Sequence, residues 1–159
     1  MKPNRSAKPA PQGKLEINLP AVEKLKIDGD VPFYFVRKND LPIVNLRLIF
    51  RAGSKADPVG KTGLTYMTSM LLDEGAAGLS TFEIDAGFEN LGTGFSISTT
   101  QDAVYISLLS LNENLEKSLE LLGKIVNSPD FTDESFGIEK HKLHPRRILR
   151  VYSVLSENY

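Results

Sequence analysis

Residues 43–51 alternate in character, with Val44, Leu46, Leu48 and Phe50 facing one way and Asn45, Arg47 and Arg51 the other. A period of two over this length specifies a strand with one dry face and one wet face. Such a strand belongs to an antiparallel sheet covered on a single side. Upstream, Leu25 to Asp30 reads as a short strand and a turn at Gly29. Val31 to Lys38 follows as a strand with Val31, Phe33 and Phe35 on one face, and Pro32 places it at an edge or near the strand's start. Downstream, Ser80 and Glu83 form a capping box that opens a helix to about Leu91, carrying Phe82, Ile84, Ala86 and Phe88. Gly92-Thr-Gly94 ends that helix. Phe95 to Thr100 and Ala103 to Leu111 read as two strands about a turn at Asp102.

A third helix is capped by Asn112 or Asn114, has the stripe Leu115, Leu119, Leu122 and Val126, and stops at Asn127-Ser-Pro129. The next starts at Thr132. Phe131 and Phe136 hold its hydrophobic-staple positions and Ile138 continues its apolar face. Pro145 breaks it at His144, with Ile148 and Val151 continuing a second segment. Strands and helices thus come in blocks, two and two, twice over. That order predicts an α+β fold, an antiparallel sheet with helices packed on one side.

Between the first strands and the capping box lies Gly60–Gly75, GKTGLTYMTSMLLDEG, whose spacing predicts a helix. Leu64, Met67 and Leu71 would face a core. Tyr66 and Met70, four apart, share a second face, with Ser69 beside it. Together with the preceding Arg51-Ala-Gly-Ser-Lys-Ala-Asp57-Pro and Gly60-Lys-Thr-Gly63-Leu, this stretch resembles the pitrilysin/insulinase family (peptidase family M16) of inverted-motif zinc peptidases. The likeness runs over about residues 20 to 150. It implies an N-terminal half-domain of the LuxS/MPP-like metallohydrolase kind over residues 20–159, cut short at Tyr159, behind a flexible Pro-rich arm over 1–19.

The family helix reads roughly Gly-x-Ala-His-x-x-Glu-His-Met. Laid on this chain, the first His position is Tyr66, the Glu position is Ser69 and the second His position is Met70. The third ligand, a Glu far downstream, falls on Arg146. A supporting Glu just before it is retained as Glu139. A tyrosine must lose a phenolic proton with a pKa of about 10 before it ligates. A thioether suits copper(I) better than zinc, and a guanidinium has no lone pair to give and repels a dication. The resemblance therefore implies a non-catalytic member with no metal of its own. It would serve as a subunit that pairs with a separate His-x-x-Glu-His relative carrying the zinc, closing a chamber and helping to hold an extended peptide. The alternative is a structural or assembly protein on the same fold, with no part in proteolysis.

In active relatives the strand matching Phe95 to Thr100 carries Asn-Ala-x-Thr, and the substrate adds to it as an extra strand. Here Ser96, Ile97, Ser98 and Thr99 stand at those positions. The backbone of Gly94, Phe95 and Ser96 is the candidate peptide-binding edge, against the plainer reading of a simple hairpin.

Other chemistry is thinly supported. His141 and His144 lie three apart near Glu139, but the adjacent Pro145 spoils the helical spacing of a metal pair. Lys140 to Arg150 is the most basic run and reads as a solvated helix face. A net charge of −1 argues against general attraction to nucleic acid. No apolar run approaches the length of a membrane-spanning helix. Cysteine is absent, so no disulfide marks a compartment. Met1 to Gly13 is polar and has no apolar leader core. The family resemblance implies a periplasmic location if the source is bacterial and a leader has been removed.

Overall fold

The computed structural model describes residues 18–27 and 30–142. Nearly all of the N-terminal arm, Gly29, and the segment with His144, Pro145, Arg146, Ile148 and Val151 lie outside the described residues. The chain divides into two compact units, one up to Leu41 and one from Pro42 onward.

The first unit is a hairpin of β1 (Glu23–Ile27) and β2 (Val31–Phe35), antiparallel, with Leu25 opposite Phe33. The Phe33 and Phe35 rings stack at 6.4 Å on the face that the alternation assigns to them. The strand stops at Phe35 rather than Lys38, because Phe35 pairs with Glu23, the first residue of β1.

The second unit runs β3 (Ile43–Phe50), α1 (Leu64–Leu71), β4 (Gly75–Ala76), β5 (Leu79–Ser80), α2 (Thr81–Asn90), β6 (Gly94–Thr99), β7 (Val104–Leu111), α3 (Leu115–Asn127) and α4 (Asp133–Lys142). Its main sheet has the order β3-β7-β6, antiparallel throughout. One face carries Leu46 and Leu48 of β3, Ile106 and Leu108 of β7, and Phe95 and Ile97 of β6. These pack with Ile84 and Phe88 of α2 and Leu122 and Ile125 of α3. The Phe88 and Phe95 rings stack at 4.7 Å across the helix–sheet layer. This is the one-sided α+β arrangement that the block order predicts.

Local signals set the boundaries. Ser80 and Glu83 complete the capping box, each side chain bonded to the other's backbone N–H. Gly92, at φ +59°, ends α2 with its N–H on the Glu89 carbonyl and that of Thr93 on Phe88. The β4–β5 hairpin is not visible in the alternation, being two residues a side. Its turn, Ala77-Gly78, has both residues left-handed (φ +52° and +77°), as a tight two-residue hairpin requires. Segment 128–130 then seals β4: the Ala77 N–H donates to Ser128 O, and the Asp130 N–H donates to Gly75 O.

Three helices, α1, α3 and α4, differ from the periodicity, and in α2 one apolar residue points outward. In α1 only Leu71 of its expected core triplet is buried; Met67 is half-buried and Leu64 exposed, because Ser69 is the residue turned to the sheet. Phe82 is 80 % exposed. Ile84 and Phe88, four apart, face the core, and a residue two positions before Ile84 points away from it. In α3 the buried line is Ser118, Leu122 and Ile125, leaving Leu119 exposed. The cause is a closed triangle of hydroxyls, Thr93–Ser110 at 3.0 Å, Thr93–Ser118 at 2.8 Å and Ser110–Ser118 at 3.1 Å, which fixes the helix rotation. Asn114 precedes α3 but makes no side-chain cap; its amide donates to Leu91 O instead. In α4 the Thr132 hydroxyl accepts from the Ser135 N–H as expected. However, Phe131, Phe136 and Ile138 all remain exposed, and the buried residue is Glu139. Phe131 has φ +44°, so the staple position is used for a chain reversal rather than for packing.

Candidate functional site

The site is built on α1. The chain approaches it through Gly53, Ser54 and Lys55, which run against the turn after β6. The Ser54 and Lys55 N–H groups donate to Thr100 O and Gln101 O, both at 3.0 Å. Only glycine fits at 53, since a Cβ there would lie 2.4 Å from backbone atoms of Gln101 and Ala103. The helix then starts from Gly63, at φ +92°. The Asp57 carboxylate supplies the cap across the intervening loop. It accepts from the Gly63 N–H (2.7 Å), the Thr65 N–H (2.8 Å) and the Thr65 hydroxyl (2.6 Å). Burial pushes the Asp57 pKa up, but these hydrogen bonds, with that of Leu64, outweigh it and hold the group below its usual value.

The motif positions are brought together as the helical spacing predicts. Tyr66 and Met70 are half-buried one turn apart, and Ser69 is 5 % exposed. The Ser69 hydroxyl donates to Tyr66 O at 2.8 Å and lies 2.5 Å from the Thr99 hydroxyl. With its one proton committed to Tyr66 O, Ser69 is the acceptor of the Thr99 proton. This bond clamps α1 to the end of β6. A neutral hydroxyl held in this way lacks the basicity to activate a water. Arg146 lies outside the described residues. Among the described residues, no group of three or more His, Cys, Asp or Glu side chains is arranged to hold a metal ion.

Glu139 projects from α4 to the C-terminal end of α1. It is 2 % exposed and ion-paired with Lys142, one turn on; Lys142 also lies 3.8 Å from Glu74. The Lys142 pKa is raised, chiefly by its hydrogen bond to Glu139. Asp73 borders the same cluster. Burial, and then the charges of Glu74, Asp85 and Glu139, push its pKa up to about 6. The Ser135 hydroxyl donates to Glu74 O at 3.4 Å, a further tie between α4 and the end of α1. The retained Glu139 is thus a buried structural anion here. Lys142, Asp73 and the Thr99 clamp lack any periodic signal that would have singled them out.

Gly94, Phe95 and Ser96 open β6, which pairs only with β7 among the described residues and so forms one edge of the sheet. On the sheet face opposite the helices, a shallow depression of about 240 Å³ runs from Asn45 and Arg47 of β3 across Ser107 and Leu109 of β7 to Gly94 and Ser96.

Fold and helix together define a metallopeptidase half-domain whose zinc motif has been replaced. The chain matches the model of the insulinase family (peptidase family M16) over residues 34–152, and it belongs to that family. Curated relatives include two proteins of Helicobacter pylori. They are the zinc protease PqqE (24 % identical over 110 residues, 69 % of this chain and 25 % of the relative) and the non-peptidase homolog YmxG (25 % over 112 residues, 70 % and 26 %). Human mitochondrial cytochrome b-c1 complex subunit 2 is 23 % identical over 94 residues, covering 59 % of this chain and 21 % of the relative. Among solved structures, the peptidase M16 inactive domain from Pseudomonas fluorescens superposes with a TM-score of 0.74 at 33 % identity, over 77 % of this chain and 30 % of that one. The chain spans about a quarter of the length of these curated relatives. No helix of the described residues is long and apolar enough to cross a membrane.

Proposed function

We propose that this chain is part of a non-catalytic subunit of a heteromeric M16-type zinc peptidase. In this reading a partner subunit with an intact His-x-x-Glu-His helix supplies the zinc and the general base. This subunit completes the chamber and helps hold an extended peptide along the β6 edge at Gly94, Phe95 and Ser96. A bacterial form would work in the periplasm once its leader is removed. The observation that carries the reading is the Ser69–Thr99 hydroxyl pair. The position of the catalytic base is occupied by a buried group committed to fold contacts, while the edge strand beside it has no partner on its outer side among the described residues. Likeness to a non-peptidase homolog and to an inactive M16 domain supports the same direction. Strand addition uses main-chain groups, so the loss of the family's Asn at Ser96 does not remove the edge's capacity.

The similarity to a subunit of the cytochrome b-c1 complex favours a second reading, an assembly subunit without a part in proteolysis. Co-purification of the whole protein from its source cells separates the two. Recovery of a His-x-x-Glu-His relative, with peptide cleavage abolished by a chelator, is the expected result. Recovery alone or with an unrelated assembly, without cleavage, overturns the peptidase reading.

A further inference from the structure

We draw no further inference here: the strongest candidate, the cluster of Asp73, Glu74, Asp85 and Glu139 around Lys142 where α4 meets the C-terminal end of α1, rests on an acidic cluster and the raised Asp73 pKa alone, and nothing among the described residues shows a ligand or a moving element that it answers to.

Discussion

Replacing Asp73 with asparagine probes the charge cluster at the C-terminal end of α1. Burial raises the Asp73 pKa from 3.8 to about 6, with Glu74, Asp85 and Glu139 adding to the effect and its own backbone N–H opposing it. Because the folded-state value lies above the unfolded one, the folded chain binds more protons between the two. The contribution of Asp73 is therefore most favourable below about pH 4. It is lost as pH rises through about 6 and is constant beyond. A displacement of about two units corresponds to roughly 3 kcal/mol. Contact with water and the nearby Lys142 screen it, leaving about 1–2 kcal/mol. Asparagine has the same shape and cannot ionise. Urea unfolding followed by circular dichroism should show Asp73→Asn more stable than the native chain by about 1–2 kcal/mol near neutral pH. That is a rise of about 4 °C in melting temperature, and the two should converge near pH 4. Parallel pH profiles for the two proteins between about pH 4 and 6, or a less stable variant at neutral pH, would refute the assignment.

Three further substitutions test the frame around α1. Asp57→Ala removes the cap on Gly63 and Thr65 and should cost about 1–2 kcal/mol in urea unfolding. Since the Asp57 pKa is lowered, the deficit should be present at neutral pH and disappear as pH falls below about 4. Gly53→Ala forces a methyl into the Gln101–Ala103 backbone and should cost about 3 kcal/mol or prevent folding; a native-like melting curve would contradict the close approach. Ser69→Glu places a carboxylate in a 5 % exposed site and should destabilise by about 3 kcal/mol at neutral pH, easing in acid, whereas Ser69→Ala should cost only about 1 kcal/mol.

The elements whose signals are local were legible in the sequence. The alternation of Val44, Leu46 and Leu48, the Ser80–Glu83 box and the Thr132 cap depend on neighbours a few residues away, and the structure has them in place. The misread faces share a different cause. Leu119 looks like part of an apolar stripe. Yet the rotation of α3 is set by Ser118 meeting Thr93 and Ser110, residues from two other elements that no window along the chain contains. Leu64 was likewise assigned inward by helical spacing and is turned outward by the way its helix packs. At the site, the grouping of Tyr66, Ser69 and Met70 followed from helical spacing alone. The role of Ser69 depends on Thr99, thirty residues away, and the burial of Glu139 depends on α4 docking against α1.

Loss of the zinc motif has reassigned its positions. A metal-dependent base must face the bound water with a free lone pair, so it holds back part of its helix from packing and leaves a charged group near the sheet. With serine at 69 that demand is gone. The hydroxyl bonds to the helix carbonyl and to Thr99, and the helix is drawn onto the end of the edge strand. Glu139, without a ligand set to support, is neutralised by Lys142 from its own helix. Placing ligand side chains at 66, 70 and 146 would still leave position 69 without a base, because Ser69 is a neutral hydroxyl bonded to Tyr66 O and Thr99. The same tightening fixes β6 at its Thr99 end and leaves Gly94 to Ser96 at the other end free among the described residues.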